Sequence, residues 1–127
     1  MLVNTYAMSA AYSARDDGTI DFPFDPETAE LDPEVWARWL SFDPVLLARE
    51  EEHRETLRSM RAIWIDAGRR DQYHLDLGAV AFHREVVDAG VPEERVHFEL
   101  FDGTHSGLTW RYPRSLAFLV AGLSSAL

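Results

Sequence analysis

The chain contains no cysteine and no lysine, and none of its apolar runs is long. Without cysteine there is no disulfide framework, no thiol nucleophile and no cysteine-based metal site. The apolar runs all fall short of the length of a bilayer-spanning helix. The amino terminus also lacks the basic segment of a secretory signal. We therefore expect a cytoplasmic protein that does not bind a membrane.

Basic residues are also scarce. The 12 arginines are outnumbered by 22 acidic residues, which gives a net charge of −10. Such a balance disfavours nucleic acid, which requires a basic face on the protein. It equally disfavours an anionic lipid surface. The five histidines follow no recognised ligand spacing, so we expect neither a metal nor another cofactor.

The length of 127 residues and the apolar content of 46% are typical of one globular domain over residues 1–127. Prolines and acidic turn residues interrupt the first part of the chain, and residues 14–60 are a candidate lid or cap insertion. The clearer alternation of elements over residues 61–127 indicates a strand–helix–strand–helix core. No internal repeat and no linker is visible.

Hydrophobic periodicity predicts the individual elements. About three mostly parallel strands flanked by helices are expected, because strands that alternate with helices form right-handed parallel units. The predicted strands cover residues 2–8, 61–67 and 95–101, and the predicted helices cover residues 32–40, 44–60, 74–89 and 113–125.

Two polar residues stand out because each directly follows a predicted strand, Asp71 after the first core strand and His105 after the second. The carboxyl ends of parallel strands share one rim of the sheet, where ligands bind. A neutral imidazole can accept a proton near pH 7, and a carboxylate on its other nitrogen fixes the tautomer. Asp71 and His105 are therefore candidate catalytic residues.

Both residues also have a purely structural interpretation, which the sequence leaves open. Asp71 is a suitable cap for the helix that follows it. His105 is suited to accept a hydrogen bond in a turn that Asp102 and Gly103 begin.

Two stretches resemble the carboxyl-terminal part of the putative-esterase family of α/β hydrolases, which includes esterase D and the enterochelin-esterase-like enzymes. Residues 65–71 (IDAGRRD) are similar to the family's strand and acid loop, and residues 101–107 (FDGTHSG) to its histidine loop. More weakly, residues 6–13 are similar to the strand that follows the family's nucleophile helix. The resemblance covers nearly the whole chain.

The resemblance implies the carboxyl-terminal half of an α/β-hydrolase fold. It further implies a serine-type carboxylic ester hydrolase that acts on a small ester or thioester, with Asp71 and His105 in a Ser–Asp–His triad. However, no G-x-S-x-G is present, so the nucleophile is absent from this chain. Ser106 is a poor substitute, because a residue adjacent to His105 has little freedom to reach its ring. We expect the isolated chain to be inactive.

An alternative from another functional class remains open. The chain would then be a non-catalytic α/β binding or assembly module that retains the acid and histidine without using them. In either case the predicted first strand would present an open apolar edge. We expect that edge to pair with an N-terminal complementing chain or to cause self-association.

Overall fold

The computed structural model describes residues 2–124, and the chain divides between Leu47 and Ala48 into two compact units. It is a mixed α/β chain. Within residues 2–124, no helix has the length and the apolar content needed to cross a bilayer. The elements are α1 (Leu2–Tyr12), α2 (Pro33–Leu40), α3 (Pro44–Leu47), α4 (Glu51–Ser59), β1 (Ile63–Gly68), α5 (Leu75–Asp88), β2 (Val96–Phe101) and α6 (Tyr112–Ser124).

The predicted strand over residues 2–8 is wrong, because this segment lies in helix α1. The segment reads ambiguously: Val3, Thr5 and Tyr6 favour a strand, whereas the alanines and methionine that follow favour a helix. The likeness of residues 6–13 to a hydrolase strand fails for the same reason. The apolar edge expected of that strand is therefore absent.

Aspartates precede two helices of the first unit, α2 and α3, and bond to their first amides. The Asp32 carboxylate accepts hydrogen bonds from the Glu34 and Val35 amides, and Pro33 occupies the first helical position of α2. Asp43 repeats the arrangement at α3, where its carboxylate accepts the amide of the second helical residue at 2.8 Å. The predicted lid of residues 14–60 extends across the division between the two units.

The second unit contains a parallel sheet of two strands within the described part of the chain, rather than the three expected. The predicted core strands are both confirmed. Strands β1 and β2 pair in register from Ile63 opposite Val96 to Gly68 opposite Phe101. Helix α5 connects them, which is the parallel unit that the alternation of elements predicts.

One face of this sheet forms the apolar core of the second unit. Ile63 and Ile65 project from β1 onto Val86, which is fully buried in helix α5. Gly90 ends the helix with a φ of +84°, the left-handed conformation typical of a glycine just past a helix terminus. The other buried members of this core are Ala48, Leu57, Ala89 and Val91.

Helix α6 covers the opposite face of the sheet, although several of its large apolar side chains do not pack there. Leu116, Val120 and Leu123 are 57–61% exposed. Instead Phe118 packs on the sheet, and Gly122 allows the helix to approach the segment before β1, since a Cβ there would lie 2.7 Å from that of Ala62. Phe118 and the close approach at Gly122 therefore lie on the packed face of α6.

Truncation of the core tests this packing. We expect Ile65→Ala to lower the free energy of unfolding by about 2–5 kcal/mol, because it leaves a cavity between the sheet and α5. Leu77→Ala, at an exposed position of α5, should change the free energy of unfolding by less than about 0.5 kcal/mol. Urea denaturation of both variants measures the difference, and equal losses would contradict the assigned core.

Candidate active site

The loops after β1 and β2 approach each other unusually closely at two glycines. The amides of Arg69 and Arg70 donate to the carbonyls of Phe101 and Gly103, both at 2.9 Å, and so extend the strand pairing into the loops. A Cβ on Gly68 would lie 2.5 Å from the Gly103 carbonyl oxygen. Only glycine at position 68 therefore permits this contact.

The approach of the loops places Asp71 against His105. One carboxylate oxygen of Asp71, Oδ2, lies 3.0 Å from Nδ1 of the His105 ring. The other, Oδ1, accepts the amide of Tyr73 at 2.7 Å. Asp71 thus caps the turn before α5 with one oxygen and contacts His105 with the other, whereas the N-cap position of α5 itself is His74, which makes no side-chain capping bond.

The His105 ring is held on one side and open on the other. Tyr73 meets it edge to face, with the ring centroids 5.0 Å apart. An ionised carboxylate only accepts hydrogen bonds, so the nitrogen facing Asp71 must carry the proton. In the neutral ring Nε2 is then the basic nitrogen, and the histidine side chain is 44% exposed against 4% for the acid. This is the arrangement of an oriented general base.

Local interactions keep Asp71 ionised. Burial of the side chain raises the pKa of the carboxyl group, but hydrogen bonds from the Tyr73 amide and the His105 ring outweigh that effect. The result is a pKa below the ordinary aspartate value. A carboxylate that stays charged can stabilise a protonated imidazole beside it.

No nucleophile joins the pair within the described residues. The Ser106 amide donates to Thr104 Oγ1 at 3.4 Å, and no serine hydroxyl of residues 2–124 is hydrogen-bonded to the His105 ring. The same part of the chain contains no group of three histidine or acidic side chains arranged to hold a metal. Among the described residues, the structure therefore brings together Asp71 and His105 without a serine hydroxyl bonded to the ring.

A charged cluster beside the site was not predicted from the sequence. Arg111 is 3% exposed, and its Nε and Nη2 atoms each lie 2.6 Å from a carboxylate oxygen, of Asp66 on β1 and Glu99 on β2. Glu99 has a lowered pKa, chiefly because Arg111 donates a hydrogen bond to it. The available signal was an acid in the interior of each strand, because a buried carboxylate requires a cation.

A cavity on the second unit lies away from Asp71 and His105. The cavity, of about 510 Å³, opens where the strands begin, which is the end of the sheet opposite Asp71 and His105. It is lined by Ser59, Arg61, Ala62, Glu94, Arg95, Phe118, Ala121 and Gly122. This cavity therefore cannot hold a substrate against the His105 ring.

Comparison with protein-family models gives no match, and a search of the curated proteins finds no similar sequence.

The glycine contact predicts a sensitive position. Gly68→Ala should lower the free energy of unfolding by about 1–3 kcal/mol, because its Cβ would overlap the Gly103 carbonyl. Gly78→Ala, in helix α5 with no neighbour within 4 Å, should instead raise stability by about 0.5–1 kcal/mol. Chemical denaturation compares the two variants, and a neutral Gly68→Ala would show that the loops are not tightly apposed.

The lowered pKa of Asp71 predicts a pH dependence. In acid the unfolded chain binds a proton at this residue more readily than the folded chain, so its contribution to stability rises with pH. The difference in unfolding free energy between the parent protein and Asp71→Asn should therefore be largest near pH 7. It should shrink as the pH falls below about 4. Urea titrations across this range measure it, and a difference that does not vary with pH would contradict the assignment.

Proposed function

We propose that this chain supplies the acid and the base of a Ser–Asp–His triad in a carboxylic ester hydrolase whose nucleophilic serine lies outside it. The observation that carries the proposal is the 3.0 Å contact between Asp71 Oδ2 and His105 Nδ1 at the carboxyl ends of two parallel strands. Strand order and the order of acid and histidine along the chain agree with the carboxyl-terminal half of an α/β-hydrolase fold.

The chemistry follows from the two nitrogens of His105. Its Nε2 would take the proton of a serine hydroxyl as the oxygen attacks an ester or thioester carbonyl. The imidazolium so formed would return that proton to the leaving alcohol or thiol. Asp71 keeps the ring in the required tautomer and stabilises its positive charge, while remaining ionised itself.

The rest of the machinery must come from elsewhere. In this fold, one donor of the oxyanion hole is the amide after the nucleophile and the other belongs to an earlier loop. Removing one donor costs about 100- to 1000-fold in rate. A chain without the serine and without both donors retains the base but no means of using it.

Two surfaces of the second unit support a complementing chain as the partner. Within residues 2–124, β1 pairs only with β2, so its other edge has no strand beside it. Helix α6 also exposes Leu116, Val120 and Leu123. An unpaired strand edge and an apolar helix face are what a sheet that continues into another chain would leave uncovered. Self-association through the same edge of β1 is the competing arrangement.

A second candidate function is favoured by the same surfaces, and by the fact that no serine hydroxyl of residues 2–124 is hydrogen-bonded to the His105 ring. In that case the chain is an α/β binding or assembly module, and its acid and histidine hold two loops together without performing chemistry. The two candidates differ in whether a serine of any partner becomes reactive in a manner that depends on His105.

The isolated chain provides the first test. We expect no turnover of a p-nitrophenyl ester above that of the His105→Ala variant, because the nucleophile and the oxyanion donors are missing. Both proteins are assayed at equal concentration. Robust turnover that His105→Ala abolishes would show that a residue of this chain is the nucleophile.

The second test adds a partner chain that carries a G-x-S-x-G segment and is encoded beside this one. A fluorophosphonate should label the partner's serine only in the mixture, and Asp71→Asn should slow labelling by about 10⁴-fold if the tautomer is lost as in other triads. Asp88→Asn, at the exposed carboxyl end of α5, is the matched control. A stable complex whose serine is not labelled would favour the assembly module.

A further inference from the structure

We infer that Arg111 is a positioning residue, which fixes the histidine loop so that the His105 ring meets Asp71. The inference rests on the proposed function for its purpose, but the geometry behind it belongs to this chain alone. The histidine loop leaves β2 after Phe101, and Arg111 ends the 3₁₀ turn of Leu108–Arg111 by which the loop joins α6. Arg111 therefore stands at the far end of the loop that carries His105.

The guanidinium of Arg111 fastens that end of the loop to both strands. Nε donates to Asp66 and Nη2 to Glu99, each at 2.6 Å, and these two acids are partners in the strand register. A planar guanidinium can serve two acceptors at a fixed angle, whereas an ammonium is a single point charge. Two hydrogen bonds from one planar group, rather than a single contact, therefore set the orientation of this end of the loop.

The near end of the loop is held by the same side chain. The guanidinium carbon of Arg111 lies 4.0 Å from the centre of the Phe101 ring and 4.9 Å from that of Trp110. The Phe101 ring in turn packs against Gly103, where a Cβ would come within 2.5 Å of it. Gly103 accepts the Arg70 amide, one residue before Asp71. Contacts therefore run without a gap from Arg111 to the backbone beside the acid.

Burial alone does not explain an arginine at this position. A buried ion cluster is costly to desolvate, and apolar residues of similar volume are often as stable or more stable. Nη1 of Arg111 is also buried and has no hydrogen-bond partner among the described residues. The guanidinium makes directional hydrogen bonds that fix the orientation of the loop relative to the strands, and an apolar side chain would not.

The test separates direction from stability. The triple variant Asp66→Asn, Glu99→Gln, Arg111→Met removes the charges while keeping the volume. The variant Arg111→Lys keeps the charge but removes the fork. The readout is the tautomer of the neutral His105 ring, measured from the ¹⁵N shifts of its nitrogens, with thermal unfolding as the measure of the fold. Arg114→Ala is the control, since Arg114 also contacts Glu99, at 3.4 Å, but is 51% exposed.

In the parent protein and in Arg114→Ala, we expect the form protonated on Nδ1 to predominate. In folded samples of the triple variant and of Arg111→Lys, the ratio of this form to the Nε2-protonated form should fall about tenfold, as for loss of a hydrogen bond to a charged group. Folded variants with the parent ratio would overturn the inference. If the triple variant does not fold, Arg111→Lys decides the outcome alone.

Failure of this inference is distinct from failure of the proposed function. The tautomer readout requires no turnover and no partner chain. An unchanged ratio in both variants, with serine labelling still dependent on His105, would remove the role of Arg111 and leave the triad intact. A shifted ratio with no labelled serine in any partner would instead support the positioning role in a chain that performs no hydrolysis.

Discussion

The close approach of two strand-end loops is the constraint on which the rest of the site depends. Gly68 lets the loop after β1 lie against the Gly103 carbonyl, and two backbone hydrogen bonds hold the loops at that distance. Asp71 and His105 are then within 3.0 Å of each other. The acid is buried and the histidine is half-exposed. Nδ1 of His105 is therefore held by Asp71 while Nε2 stays available to accept a proton, which is what an oriented base requires.

The two faces of the small sheet do different work. The face toward α5 is apolar and packs on Val86. Burial of this face is the main source of stability of the second unit. The other face carries Asp66 and Glu99, which would be unfavourable without the Arg111 guanidinium between them. Stability and site geometry are therefore separated across a sheet of two strands, and the charged face lies next to the histidine loop.

Strong local patterns in the sequence predicted the elements that frame the site. The two core strands and helix α5 are where hydrophobic periodicity places them, and the convergence of Asp71 with His105 follows from the parallel pairing of those strands. Helix α1 was missed because its composition suits a strand almost equally well. The Arg111 cluster was missed because it depends on strand register and on the return of the chain, neither of which local spacing encodes.

A double-mutant cycle between Asp71 and His105 tests the central claim most directly, because it isolates the interaction of the two side chains from their other contacts. Unfolding free energies of Asp71→Ala, His105→Ala and the double variant would be measured near neutral pH. The account predicts a favourable coupling of about 0.5–3 kcal/mol. Effects that add within about 0.3–0.5 kcal/mol would mean that the two residues do not act as a pair.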